Sequence, residues 1–307
     1  METIGLSKLA TIPYLDLSDI QGRTLSSLCF YDDGWKMWIS AGDQLIQIQA
    51  WPAESFYFAR APERQSDLCL QTLNFIAQRA SFPEVMKAFV GLQDDIFNVS
   101  ASLAKIGFLH ASRESIKQGI NRMVITEVEY ILSVCRSMFD LLQEIVSRLW
   151  KSVQLVNGSV RTKPLKDSFA DMIMQSGNQA SAAQISQKFG LPPPLSDVYV
   201  RHSDFFLNLR RFRDNVVHRG VQVQTIFTGD RGFLIAGNLR AFSDWNIWRE
   251  EEKEPNNLVP LLPALGVVVH QTLIACEGFF HTLEQVIRFP SPLVPRDGPL
   301  YERILQR

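Results

Sequence analysis

What the chain lacks narrows its chemistry before any motif is sought. Only 4 of its 307 residues are cysteine, and Cys29, Cys69, Cys135 and Cys276 form no C-x-x-C pair. That spacing speaks against a zinc knuckle or a thioredoxin-type redox site. It suits a reducing compartment, so a cytoplasmic location is expected. Gly-rich phosphate loops are missing as well: neither G-x-x-x-x-G-K-[ST] nor G-x-G-x-x-G occurs, and there is no G-x-S-x-G elbow. Charge of one sign is not in excess. With 31 Lys and Arg against 32 Asp and Glu, the formal charge is -1, so any nucleic-acid contact must come from a local patch. The start, "METIGLSKLATIPYLDLSD", has no charged segment followed by an apolar run, and no signal peptide is expected. No internal repeat and no low-complexity tract is found.

The 46% of hydrophobic residues suffice for a sizeable core. Residues 1–80 read as a small β-rich unit. "TLSSLCFYDDGWKMWIS" and "DQLIQIQAWPAESFYFAR" are aromatic and β-branched runs separated by Asp-Gly and Ala-Gly-Asp turn signals, as in a meander. From residue 81 to 307 the period becomes helical. Ser81 as N-cap, Pro83 in the first turn and Glu84 closing a capping box open the first helix. Val85, Phe89, Leu92, Ile96, Val99, Leu103 and Ile106 then step by fours and threes, a narrow stripe suited to packing on other long helices. A second pattern opens at Ser112 and runs through Ile116, Ile120, Met123, Glu127, Ile131, Val134, Met138, Leu142, Ile145 and Leu149. Unbroken to Val153 it would be about 60 Å long, with Gly119 as the place for a break.

"FADMIM" reads as a short helical turn, and "QSGNQASAAQISQKFGLPPPLSD" as a long connection that its three prolines keep from continuing a helix. A third long helix is expected from Ser196 to Arg219, with Ser196 or Asp197 as cap and Gly220 just beyond its end. "VQVQTIFTGDRGFLIAG", residues 221–237, reads as a β-hairpin turning at Gly229-Asp230. "REEEKE" reads as a solvated loop, and a last helix follows from Leu261 to Arg288. Its apolar run is long enough to span a membrane, but Pro260, Pro263, His270, Gln271 and Glu277 mark it as a buried core helix. The fold expected is mainly α: an antiparallel helical bundle with an N-terminal β-rich unit and an inserted β-hairpin.

The richest stretch is "LRRFRDNVVHRG", with four arginines in the twelve residues 209–220. At 100° per residue, Phe205, Leu209, Phe212 and Val216 share one face and are expected in the core. Arg211, Asp214 and His218 fall within about 60° of one another on the opposite side. Arg213 sits nearer the edge of the apolar face. Arg201, Arg210, Arg211, Arg213 and Arg219 against Asp204 and Asp214 leave a local +3 (five minus two). Guanidinium forks bind phosphate oxygens in pairs, and a histidine with an ordinary pKa of about 6.5 serves as acid or base near neutrality. Arginine with histidine is a minimal kit for cleaving RNA without metal or cofactor. The histidine takes the 2′-OH proton and the arginine meets the charge on the phosphoryl oxygens. The plainer alternative is that Arg210–Asp214 and Asn215–Arg219 are i,i+4 pairs decorating a solvated helix.

"RDNVVH", residues 213–218 on a late helix of a bundle, resembles the HEPN superfamily. Its mark is R-x(4–6)-H with a polar residue after the arginine, here Asp214. Long helices, a proline-containing loop and then "FFLNLRRFRDNVVHRG" extend the likeness to residues 81–288 in architecture. The resemblance implies a homodimer in which two motifs meet in one cleft. It implies a metal-independent endoribonuclease, often with an antitoxin or anti-phage defence partner, and it also covers non-catalytic interaction modules. It points to Arg213, Asp214 and His218 as catalytic, with Arg211 as the rival arginine, and to Arg210, Asn215 and Arg219 as RNA-binding. No membrane partner is expected. Elsewhere, Arg136, Asp140 and Glu144 step by four as an intrahelical ladder. Glu277 and His281 lack a third metal ligand. Trp35, Trp38, Trp51, Phe56, Tyr57 and Phe58 read as the core of the β unit rather than a base-stacking platform.

Overall fold

The structure is a computed structural model. It describes residues 3–5, 27–31, 35–41, 44–48, 58–59, 61–64, 67–69, 83–116, 118–152, 155–158, 163–218, 225–237, 247–289 and 301–302. For 212–218 and most of the strand residues before 70, the description is of the backbone. The expected cap Ser81, Gly220, and the side chains of Glu84, Phe212, Val216 and the aromatic cluster near the N-terminus lie outside what is described.

Strands β1 (Thr3–Gly5), β2 (Ser27–Tyr31), β3 (Trp35–Ala41) and β4 (Gln44–Ile48) form one antiparallel sheet in the order β1-β4-β3-β2. The last three are a meander, with Trp38 opposite Gln47 and Leu28 opposite Trp38. Short strands β5 (Phe58–Ala59) and β6 (Leu68–Cys69) complete this part of the chain.

The remainder is mainly helical. Helix α1 (Pro83–Ala111) buries all seven expected stripe residues, none more than 6% exposed. The second helix does not begin at Ser112. Residues 112–115 form a turn, and α2 (Ile120–Ser152) starts only after Gly119, whose φ of 82° a right-handed helix cannot pass through. Its 33 residues span about 50 Å rather than 60 Å. Ahead of Val124 the expected stripe fails: Ile116 and Ile120 are half-buried and Met123 is exposed. Glu127 is buried within the stripe, accepting from Ser102 Oγ at 2.9 Å and paired with Lys105.

Helix α3 (Phe169–Ile173) is capped by the Ser168 hydroxyl, which accepts from the Asp171 N–H. The "long connection" that follows is in fact structured. Strands β7 (Met174–Gln175) and β8 (Asn178–Gln179) pair across Ser176 and Gly177, both with positive φ as a tight two-residue hairpin requires. Helix α4 (Ala182–Phe189) begins with a capping box between Ser181 and Gln184 and ends on left-handed Gly190. The next helix, α5 (Pro193–His218), begins three residues before the expected cap. Proline lacks only an N–H that the first turn leaves unpaired, so Pro193 and Pro194 start the helix instead of blocking it. Ser196 is fully buried, its hydroxyl donating to the Pro192 carbonyl at 3.4 Å. Past the motif, β9 (Phe227–Thr228) and β10 (Phe233–Ala236) form the expected hairpin, and β11 (Leu258–Pro260) adds an unexpected third strand. "REEEKE" contains a short 3-10 turn with exposed glutamates at 250 and 251. Helix α6 (Leu261–Val286) is long and apolar enough to cross a membrane by length and composition. In the fold it packs against α2 and α5, with 14 of its residues buried. Near the chain's end β12 (Tyr301–Glu302) pairs with both β5 and β6.

One aromatic cluster ties the bundle. Phe169 of α3 lies 5.0 Å from Phe139, 4.8 Å from Phe206, 5.4 Å from Tyr199 and 5.8 Å from Phe279, centroid to centroid. It therefore touches α2, α5 (at Tyr199 and Phe206) and α6. Truncating it, Phe169→Ala, should cost about 3–5 kcal/mol in urea unfolding. Phe108→Ala, on the 68% exposed Phe108, should change stability by less than about 0.5 kcal/mol. Equal effects would mean that the cluster is not where the stability resides.

Candidate functional site

The candidate site belongs to α5, whose two long faces differ sharply. The buried row is Leu195, Tyr199, His202, Phe206 and Leu209. It is rotated from the expected one toward Phe206, and Phe205 is only half-buried. The reason is that α5 packs at once against α2, α6, α3 and α4, so its buried face is wide and centred where those neighbours meet. Opposite this face runs Asp197, Arg201, Asp204, Asn208 and Arg211, exposed except for half-buried Asn208. Its steps of four, three, four and three are those of a single helix face.

The sequence-derived residues distribute over these rows as follows. Arg210 and Arg211 are exposed. The Arg211 guanidinium donates to the Asn208 amide oxygen one turn back. The helical backbone continues through Arg213, Asp214, Asn215 and His218, whose side chains lie outside the described residues, as does Arg219 altogether. Continued by the same repeat, the outer row passes through positions 215 and 218. The buried row passes through position 213. Arg211 and position 218 thus share a face of the helix, while position 213 does not share it.

The residues that sequence reasoning missed are mostly buried and polar. Gln143, fully buried on α2, accepts from the Tyr199 hydroxyl at 2.5 Å and donates to the Lys166 carbonyl at 2.6 Å. Gln179 donates to Ser203. His202 is 5% exposed, and its Nε2 has no hydrogen-bond partner among the described residues. A Cβ added at Gly278 would approach that nitrogen to 3.1 Å, so the glycine is what makes room for the ring. Burial, with the Arg201 charge beside it, brings the His202 imidazole down to about 4. No helical pattern separates such a histidine from an exposed one; only its place in the row of Tyr199 and Phe206 would have signalled it. Burial, together with neighbouring Asp94, raises Asp95 to about 6. Burial also pushes the Cys135 thiol to about 12 and the Cys276 thiol upward, which makes both inert as nucleophiles.

The α2 ladder pairs within its own helix, Arg136 with Asp140 and Arg148 with Glu144. It borders a groove of about 640 Å³ closed on one side by Asp167 and Ser168. The groove walls carry both charge signs. Glu277 and His281 gather no metal set: among the described residues no group of three or more His, Cys, Asp or Glu could hold an ion. The imidazole of His281 lies 2.8 Å from the Gln285 side-chain amide.

No family model, no curated protein and no solved structure matches the chain. Its outer α5 row is nonetheless chemically defined. Arg201 and Arg211 are ten residues apart on one face, about 15 Å along the axis. That separation suits two guanidinium contacts along a single-stranded phosphate backbone.

The buried imidazole sets a pH test. His202 is neutral when folded, with its pKa lowered to about 4, and takes a proton more readily once unfolded, near 6.5. Its contribution to stability is therefore complete above pH 6.5 and is lost as pH falls toward 4. His270, also lowered by burial, acts in the same direction. Between pH 7 and 4 the wild type should lose about 2–3 kcal/mol more than His202→Gln, which cannot titrate. Urea titrations with parallel pH profiles for the two proteins would refute the assignment.

Proposed function

We propose that the chain is a metal-independent endoribonuclease of HEPN type, acting in the cytoplasm as a homodimer whose twofold brings two α5 C-terminal ends together. The reading rests on one observation. An exposed polar row on α5, with Arg201 and Arg211 on it, leads by the helical repeat to the position of His218 on the same side. In this reading His218 takes the proton from a ribose 2′-OH. The 2′ oxygen then attacks the adjacent phosphorus while the bond to the 5′ oxygen breaks. The leaving oxygen takes up a proton from solvent or from the second copy's His218. An arginine fork stabilises the charge on the non-bridging oxygens. Arg213 is the arginine that the HEPN resemblance selects, and Arg211 the one that shares the outer row. Arg210, Asn215 and Arg219 would hold flanking phosphates, with Asp214 orienting the pair. An antitoxin or defence-system partner belongs to the same reading.

The second reading is a non-catalytic, RNA-binding or protein-binding dimer on the same bundle. The Arg211–Asn208 hydrogen bond favours it, because it engages that arginine within the chain.

The purified protein should cleave RNA but not DNA in the presence of a chelator, leaving 2′,3′-cyclic phosphate and 5′-hydroxyl ends. His218→Ala should abolish cleavage without lowering the thermal midpoint. Between Arg213→Ala and Arg211→Ala, the greater loss identifies the arginine that serves the phosphate. Cleavage retained by His218→Ala would sink the proposal, and a folded, dimeric but inactive wild type would favour the interaction module.

A further inference from the structure

The groove beside the α2 ladder holds oxygen atoms that no described part of the chain satisfies. Its α2 wall carries the row Ser137, Asp140, Glu144 and Ser147, whose steps of three, four and three keep to one face of the helix. Ser147 is only 6% exposed, yet it lines the groove, and its hydroxyl has no hydrogen-bond partner among the described residues. Asp140 pairs with Arg136 through Oδ2, while its Oδ1 is buried with no partner among the described residues. Buried polar groups left in this state cost stability. A ligand that brings donors to them removes that cost.

The sign of the ligand follows from the charges around the row. Arg136 is committed to Asp140. Arg148 is committed to Glu144, with Nε at 2.9 Å and Nη2 at 2.7 Å from Oε1. Lys151, the other cation of the lining, is exposed and engaged as well. On the opposite wall, exposed Asp167 makes no ion pair among the described residues. The cations are taken and a carboxylate is not, so the groove suits a positive group.

We propose that the groove binds a linear aliphatic di- or polyamine, with its ammonium groups against the α2 row and Asp167 and its methylenes along Leu141. An alkylammonium has N–H donors and no acceptor, which matches a row of carboxylate and hydroxyl oxygens. Neighbours in the row are three or four residues apart, about 4.5 or 6 Å along the axis. A chain of three or four methylenes separates its two nitrogens by about 5 or 6 Å. Successive ammonium groups therefore fall in step with successive oxygens. The Asp140 side chain is 34% exposed, and a change of rotamer turns Oδ1 into the groove to meet one of them. The volume of about 640 Å³ lies within the range of about 300–1,000 Å³ usual for small-molecule sites. Lys151, one turn beyond Ser147, repels a further ammonium group and ends the row there.

The groove is remote from the α5 motif. Tyr199 contacts Gln143 and Phe206 contacts Phe139, so α5 runs antiparallel to α2. Its C-terminal end lies toward Ile120, away from the half of α2 that forms the groove. The amine site is thus independent of whether the chain cleaves RNA.

Isothermal titration of spermidine into the full chain, at about neutral pH and about 0.15 M salt, tests the proposal. The wild type should bind with a dissociation constant on the order of 10–300 μM, and spermidine should raise its thermal midpoint. Butylamine, with a single ammonium group, should bind at least about ten-fold more weakly. Asp167→Asn and Ser147→Ala should each weaken spermidine about three- to ten-fold, with circular dichroism unchanged. Lys151→Gln should tighten it about two-fold, because a like charge is removed. Glu251→Gln, outside the groove, should leave binding unchanged, which separates the site from diffuse attraction to a surface. No saturable spermidine binding up to about 5 mM, or Asp167→Asn and Ser147→Ala titrating as the wild type does, would overturn the proposal. Saturable binding of inorganic phosphate, weakened by Lys151→Gln, would overturn the sign of the ligand.

Discussion

The bundle depends on how Phe169 is held. A helix of only five residues, α3, has no stability of its own, yet it delivers the ring that α2, α5 and α6 converge on. Phe139, Tyr199, Phe206 and Phe279 all lie within 6 Å of it, centroid to centroid, and all are fully buried. The Ser168 cap and the β7–β8 hairpin fix both ends of the element. Tight packing around one shared ring leaves the long helices little freedom to rotate, and so decides which residues of α5 face inward.

That rotation has a polar consequence. Turning α5 toward Phe206 takes His202, Ser196 and Ser203 out of water, and buried polar groups must find partners or carry a cost. Tyr199 and Gln143 satisfy one another and the Lys166 carbonyl, and Ser203 takes Gln179. His202 Nε2 stays unpaired among the described residues, and burial, with the Arg201 charge beside it, holds its imidazole neutral. The same rotation turns Asp197, Arg201, Asp204, Asn208 and Arg211 outward. Core packing and the candidate phosphate-facing row are therefore two sides of one constraint.

The loops are anchored by the same economy. His110, at the end of α1, lies 2.8 Å from the Gly229 carbonyl and meets Phe233 edge-on at 5.4 Å. The β9–β10 turn is thus fastened to the α1–α2 turn, where Gly119 has already broken the helix. One end of the bundle is closed this way.

The long helices were legible in the sequence because their stripes repeat every three or four residues and burial follows that period. Every residue from Val85 to Ile106 in the first stripe was read correctly, and so was the solvent-facing place of Arg211. Helix α4 carries its own start signal in the Ser181–Gln184 capping box, a signal that the reading of this stretch as a connection ending in prolines does not use. Pro193 and Pro194 could not be placed at a helix start by local rules alone, since proline ends a helix as readily as it begins one. What tertiary structure decided was rotation and termination. Periodicity says that α5 has an inner face but not which of Phe205 and Phe206 lies at its centre, because that depends on where α2, α3 and α6 sit. The burial of His202, the pairing of Gln143 with Tyr199 and the third strand of the hairpin's sheet all join residues more than twenty positions apart, and no local pattern encodes a contact between distant segments.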